Sequence, residues 1–286
     1  MMSLFPPGRI VPVPGRGEMF IRDSGPETDR KGTLLLLHGW FASADINWIS
    51  CFGRLIGEGY RVVAPDHRGH GRGIRSPRPF RLADCADDCA GLVQALDLDQ
   101  VTAVGYSMGG PIAELLAYRH PKLVRGLVLS ATPLSWSDRP RMRRAWKLMG
   151  MLGWGLRMFS PRIYRRALKR GGLAQEDVQD WLLGELMRHD PTTMAEAGRE
   201  MARYNSRPWI ATLTMPTVVL CTREDDLVPP NDQRALARAI PGAVLIETGG
   251  DHYAVGQHPD YVPNLIRATE IVTERAGAAP REEAAV

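Results

Sequence analysis

Gly105-Tyr106-Ser107-Met108-Gly109-Gly110 is the stretch whose reading decides the fold. It follows an apolar run, Val101-Thr102-Ala103-Val104, and precedes a helix-like one from Ile112 to Tyr118. A strand that passes into a helix through Gly-x-Ser-x-Gly forms a nucleophile elbow, a tight turn that lifts one serine above a sheet. Gly105 and Gly109 have a steric reason to be there. They flank a residue in a strained backbone conformation, where a Cβ would collide with neighbouring segments. Small residues around a serine are common at strand ends, so the reading turns on whether the chain also supplies a base, an orienting acid and oxyanion donors.

Working outward from the elbow, the chain alternates. Residues 9–23 read as a hairpin, with Ile10-Val11 and Met19-Phe20-Ile21 as strands around Pro14-Gly15-Arg16-Gly17. The apolar run 33–37 suits a parallel strand buried on both faces and ends in His38-Gly39-Trp40. A helix over 47–58 and a strand over 61–65 follow, the strand ending in Asp66-His67-Arg68-Gly69-His70-Gly71. A helix at 81–96 leads to the strand before Ser107, and Gly126-Leu127-Val128-Leu129-Ser130 is the strand after it. Later come strands at 217–220 and 243–247 and helices at 231–239 and 260–274. Such alternation predicts an α/β fold with a mostly parallel central sheet and helices on both faces. Functional residues then belong at the carboxyl ends of the strands.

Between Pro133 and Pro208 the alternation stops, and helical patterns rich in tryptophan replace it. The expected organisation is a core from residues 1–132 and 209–275, a helical cap from 133–208 over the edge where Ser107 sits, and a disordered tail at 276–286. Residues 133–170 carry eleven Arg or Lys against the single acid Asp138, although the whole chain has a net charge of only +4. That segregation points to anionic partners, among them a lipid surface met peripherally by the cap. Met142, Ala145, Trp146, Met149 and Leu152 recur at helical spacing opposite Arg143, Arg144 and Lys147, and the glycines at 150, 153 and 155 break the pattern. This face either packs on the core with its arginines in solvent or belongs to a lid lining an acyl pocket.

The bulk numbers fit an ordinary globular protein, with 286 residues, 44% of them apolar and 24% charged. Cys51, Cys85, Cys89 and Cys221 show no metal-ligand spacing and read as reduced, structural thiols. The N-terminus lacks a charged region followed by an apolar one, and no apolar run reaches bilayer length, so a cytoplasmic location is expected.

A serine hydroxyl becomes a competent nucleophile when an imidazole takes its proton and an acid orients that imidazole. His252, in Gly249-Gly250-Asp251-His252-Tyr253, follows the last strand and is the candidate base. His258 is a rival, but it sits just before Pro259, where a helix start accounts for it. His67, His70, His120 and His189 read as structural or solvated. Glu224, Asp225 and Asp226 lie in a row after the strand at 217–220, and composition does not choose among them.

Together these motifs resemble the α/β-hydrolase family over nearly the whole chain. The order nucleophile, acid, histidine is that family's. Its Asp-x-x-Val-Pro pattern falls on Asp225 through Pro229 and selects Asp225 as the acid, with Thr222 at the usual glycine position, a departure expected not to affect the chemistry. Its terminal Gly-His matches His252, with Asp251 in place of the glycine, and its Asp-x-Arg-Gly-x-Gly loop, read as structural, matches residues 66–71. His38-Gly39-Trp40 is similar to the family's oxyanion turn, which implies backbone donors at Trp40 and Met108. Relatives that open epoxides or dehalogenate carry an aspartate at the elbow, so Ser107 implies acyl transfer. The resemblance implies a cofactor-free, metal-free serine hydrolase acting on a small-molecule ester, thioester or lactone, with no nucleic-acid partner. Non-hydrolytic acyl transfer, perhydrolysis, lyase chemistry, carbon–carbon hydrolysis and a catalytically silent binding role are the alternatives.

Overall fold

The structure, a computed structural model, describes residues 5–137 and 176–278. The chain enters through β1 (Gly8–Val13) and β2 (Gly17–Asp23), then β3 (Thr33–Leu37), two short helices α1 (Ala44–Trp48) and α2 (Phe52–Gly57), and β4 (Arg61–Pro65). Next come α3 (Leu82–Ala95), β5 (Val101–Tyr106), α4 (Gly109–Arg119) and β6 (Val124–Ser130). After residue 175 the described elements are α5 (Glu176–Leu186), α6 (Pro191–Met201), β7 (Thr217–Thr222), α7 (Pro230–Ala239), β8 (Val244–Thr248), α8 (Ala254–Gln257) and α9 (Tyr261–Ala278).

The eight strands form one sheet in the order β1-β2-β4-β3-β5-β6-β7-β8. β1 with β2 and β2 with β4 are antiparallel, and the remaining pairs are parallel. β3 shows why. Its leucines at 34–37 are all buried, Leu35 and Leu37 in an apolar cluster with α3 and α4, Leu34 and Leu36 in the opposite cluster with α1, α2 and α9. Alternate side chains of a strand point to opposite faces, so an uninterrupted apolar run needs helices on both sides. Gly126 lets α9 lie close on β6, because a Cβ there would overlap the Val272 side chain.

Two sequence expectations are corrected. The single helix over 47–58 is two helices, because Ser43 caps the first by accepting from the Ile46 N–H at 3.3 Å, which moves its start back to Ala44. A three-residue turn, the Cys51 N–H to the Trp48 carbonyl at 2.8 Å, then redirects the chain so that both Trp48 and Phe52 are buried. At the C-terminus α9 runs through Ala278, past the expected tail boundary at 276, and residues 279–286 lie outside the described residues.

The two ends of the 133–208 excursion pair with each other. Trp136 N–H donates to the Tyr204 carbonyl and Ser206 N–H to the Leu134 carbonyl, both at 3.1 Å. Asp190 caps α6 by accepting from Thr193 N–H at 2.7 Å, with Pro191 in the first turn. Ala197 and Met201 of α6 join the cluster under α3 and α4, so α6 shares the core of the sheet. The basic run, its apolar face and its glycine breaks fall within residues 138–175 and lie outside the described residues. Among the described residues no helix is long and apolar enough to cross a membrane.

Candidate active site

Ser107 sits where β5 turns into α4, at φ 53°, in the left-handed region. For a residue with a Cβ this conformation costs about 1–2 kcal/mol. The surroundings impose it: Ser107 N–H donates to the Ser130 carbonyl at 2.9 Å, and its own carbonyl accepts from Gly110 N–H at 3.0 Å. A Cβ on Gly105 would overlap the Gly109 carbonyl, and one on Gly109 would overlap the Leu37 carbonyl of β3. The two glycines therefore let the turn close tightly over the sheet, as the sequence predicts.

His252 arrives on the loop after β8 and Asp225 on the loop after β7. The two loops are tied by the Arg223 N–H to the Thr248 carbonyl (3.0 Å), the Glu224 N–H to the Gly250 carbonyl (3.1 Å) and the Gly250 N–H to Glu224 Oε2 (2.6 Å). Tyr106, beside the serine, donates its hydroxyl to the His252 carbonyl at 2.7 Å. The ring of His252 is thereby placed with Nδ1 at 2.8 Å from Asp225 Oδ2 and Nε2 at 2.9 Å from Ser107 Oγ. A carboxylate only accepts, which puts the imidazole proton on Nδ1 and leaves Nε2 free to accept from Ser107. Of the three consecutive carboxylates Asp225 alone is buried; Glu224 and Asp226 are exposed. Its Oδ1 accepts from Leu227 N–H (2.9 Å) and Val228 N–H (2.7 Å), and its Oδ2 also accepts from Thr222 Oγ1 (3.0 Å).

The turn His38-Gly39-Trp40 lies against the serine: a Cβ on Gly39 would stand 3.4 Å from Ser107 Cβ. His38 Nε2 accepts from His67 N–H at 2.9 Å, so its proton is on Nδ1, which donates to the Gly39 carbonyl at 2.8 Å. That carbonyl and the Trp40 N–H belong to one peptide plane. The preceding plane is held by Asn47 Oδ1, which accepts from Gly39 N–H at 2.9 Å, while Asn47 Nδ2 is buried without a partner. Met108 N–H lies where α4 begins, where main-chain N–H groups have no acceptor inside the helix. Trp40 and Met108 thus flank Ser107 on two separate segments.

The remaining histidines stand elsewhere. His258 packs its ring against Gly249 and precedes α9. His120 pairs with Asp87 at 2.8 Å. His38, His67, His70 and His189 form a buried group with ring centroids 4.3 to 5.7 Å apart. Burial pushes His38 and His189 down to about 4 and holds His67 and His70 well below the ordinary histidine range. In the loop at 66–71, Asp66 accepts from the Ala44 and Arg72 N–H groups and Arg68 grips Asp88 at 2.7 Å through two nitrogens, a structural arrangement. The four cysteines are free and buried. Among the described residues no cluster of His, Cys, Asp and Glu is arranged to hold a metal ion.

Sequence reasoning passed over Asn47, the Thr222 hydroxyl, and Glu114. Burial pushes Glu114 up to about 7, and it accepts from the Tyr204 hydroxyl at 2.7 Å, tying α4 to the returning end of the excursion. Nothing in residue type marks any of these. Their partners are set by packing.

Ser107 and His252 open into a cavity of about 500 Å³ lined by Trp40, Phe41, Leu227 and Tyr253 from the core and by Trp136, Leu182, Leu186 and Met201 from the excursion. Among the described residues no Asp, Glu, Lys or Arg lines it. A serine paired to a histidine, itself paired to a buried carboxylate, can attack an electrophilic carbon at the mouth of such a cavity.

Comparisons with known proteins agree with this layout. The profile of one family, the alpha/beta hydrolase fold, matches residues 32–259. A protein of Serratia proteamaculans named as a carbamate hydrolase, RutD, is 31% identical over 239 residues, spanning 80% of this chain and 86% of that one. A thermophilic esterase from Thermogutta terrifontis superposes with a TM-score of 0.75 at 24% identity, covering 93% of this chain and 99% of that one. A bromoperoxidase from Bacillus anthracis does so with a TM-score of 0.78 at 18% identity, covering 92% and 100%. The chain belongs to the α/β-hydrolase family and is an enzyme of the hydrolase class.

Proposed function

We propose that this hydrolase cleaves a carboxylic ester, or a related thioester or lactone, bearing an apolar moiety, through an acyl-Ser107 intermediate. The observation that carries the reading is the continuous chain from Ser107 Oγ through His252 to Asp225, opening on an apolar cavity. His252 Nε2 takes the Ser107 proton as Oγ attacks the carbonyl carbon, and Asp225 holds the resulting imidazolium. The oxyanion accepts from the N–H groups of Trp40 and Met108, where each donor contributes about 3 kcal/mol of transition-state stabilisation. Collapse releases the alcohol, which takes the proton from His252. A water molecule, deprotonated by His252, then attacks the acyl carbon and frees Ser107.

A serine at the elbow supports an acyl-enzyme, since a carbonyl carbon is the electrophile that a serine alkoxide attacks and that two oxyanion donors stabilise. Four side chains from the excursion in the cavity wall support reading 133–208 as a cap that selects the acyl or alcohol part. The absence of a charged side chain among the described lining residues favours an uncharged group there.

The test is hydrolysis of p-nitrophenyl esters of increasing acyl length by the wild type and by Ser107→Ala, with and without alcohol or peroxide as competing acceptor. The expected result is hydrolysis in water that favours medium acyl chains over acetate and vanishes in Ser107→Ala. Turnover that requires peroxide or alcohol would overturn it in favour of perhydrolysis or transfer. No turnover of any ester by folded protein would remove the ester reading altogether.

A further inference from the structure

We propose that the Thr222 hydroxyl is a positioning group of the Asp225–His252 pair, setting how strongly the carboxylate holds a protonated His252. This rests on the acyl-Ser107 reading and concerns the position at which this chain departs from the family's glycine.

Thr222 is the last residue of β7 and is fully buried. The direction of its hydrogen bonds follows from its neighbour Gln233 on α7. Gln233 Oε1 accepts from Thr222 N–H at 3.1 Å, and its Nε2 donates to the Val228 carbonyl at 2.7 Å, which fixes the orientation of the amide. The same Nε2 lies 2.8 Å from Thr222 Oγ1. An amide nitrogen only donates, so Oγ1 accepts there and its single proton goes to Asp225 Oδ2, 3.0 Å away. Oδ2 is the oxygen that also takes the His252 Nδ1 proton, at 2.8 Å.

All four acceptor positions of the carboxylate are then filled: Leu227 and Val228 N–H on Oδ1, Thr222 and His252 on Oδ2. A hydroxyl proton on Oδ2 draws negative charge away from the side that faces the imidazole. Without it the same oxygen carries more charge toward His252, and the imidazolium is favoured. A glycine at this position has no group to make that contact. The departure that reads as harmless in the sequence therefore touches the acid directly.

Other titratable groups face the pair and stay constant in a Thr222 variant. Burial pushes the neighbouring Cys221 thiol up to about 11 and the Tyr106 hydroxyl well above its ordinary value, so both stay neutral through the working range. Glu224, Asp226 and Asp251 stand on the two loops that carry the acid and the base, with Arg223 beside them and Tyr253 next to the base. Arg234 of α7 is occupied by Glu247 of β8 at 2.7 Å.

The experiment compares wild type with Thr222→Val, which keeps the shape and removes the hydroxyl, Thr222→Ala as a second hydroxyl-free variant, and Thr222→Ser, which restores the hydroxyl. Two readouts are taken: the acidic limb of the kcat/KM profile on a p-nitrophenyl ester, and the NMR titration of the His252 ring. In Thr222→Val and Thr222→Ala both midpoints move to higher pH by roughly 0.3–1 unit. Thr222→Ser coincides with the wild type. Midpoints that superimpose on the wild type or move down in the Val and Ala variants overturn the proposal, as does a Ser variant that shifts as far as Val. If Ser107→Ala retains full hydrolysis, the acyl-enzyme reading fails by itself, and the ring titration still decides the role of Thr222.

Discussion

His252 and the group formed by His38, His67, His70 and His189 use the same side chain in opposite ways. His252 has a buried carboxylate on one nitrogen and the Ser107 hydroxyl on the other. In the four-histidine group the rings face one another and the backbone, and the Nε2 atoms of His67, His70 and His189 have no partner. A carboxylate on Nδ1 fixes the tautomer and leaves Nε2 to accept from the serine. Burial among other imidazoles disfavours the imidazolium and leaves neutral rings in fixed contacts. The difference lies in the partners: of these five histidines His252 is the one proposed to move protons, and the other four are buried in fixed contacts.

The largest effect expected from this contrast is on rate. His252→Ala should lower kcat/KM by about 10⁴-fold or more, since base and nucleophile act as a unit. His70→Asn, which keeps a polar group near the Arg68 carbonyl that His70 Nδ1 meets at 3.1 Å, should leave kcat/KM within about threefold. Comparable losses in the two variants would break the distinction.

Next in size is the effect of Asn47, whose Oδ1 accepts from Gly39 N–H in the turn that carries the proposed Trp40 donor. Its Nδ2 is buried and unpartnered, at a cost of about 1–3 kcal/mol, so the amide is kept there for what its oxygen does for Gly39. Asn47→Ala should lower kcat about 10- to 100-fold while KM stays within about threefold, because the Trp40 donor is misplaced for the transition state, whereas Asn47 is one polar side chain in a mostly apolar cavity wall. A raised KM with kcat unchanged would assign Asn47 to substrate binding.

The smallest effect is on stability, and its sign follows from burial. His38 and His189 are pushed down to about 4 in the folded protein, against about 6.5 in the unfolded chain. Their contribution is complete above the unfolded value and is lost as pH falls from there toward 4. Tm should therefore drop between pH 7 and pH 4.5. His189→Asn, which keeps an acceptor for the Gly71 N–H, should have a shallower drop by calorimetry. An unchanged slope would mean that the group does not titrate with unfolding.

The sequence revealed a good part of this and missed the rest for physical reasons. The parallel strands were legible because strands buried on both faces are continuous apolar runs, as at 33–37, and the elbow was legible because its glycines answer a steric need. Burial explains why composition does not tell three consecutive carboxylates apart: Asp225 is turned inward onto Thr222, the Leu227 and Val228 N–H groups and the distant His252, while Glu224 and Asp226 stay exposed. The split between α1 and α2 depends on a cap at Ser43 and on where Trp48 must go, which periodicity alone does not encode. The partners of Thr222, Asn47 and Glu114 are matters of packing between elements, and no residue type announces them.

The proposed mechanism stands or falls on acylation of Ser107. Rapid acid quench of the wild type during turnover of a p-nitrophenyl ester, followed by intact-mass and peptide analysis, tests it most directly. The expected result is a mass increase equal to one acyl group, on the peptide containing Ser107, and none in Ser107→Ala. Turnover with no adduct in the wild type, or an adduct on another residue, would contradict it.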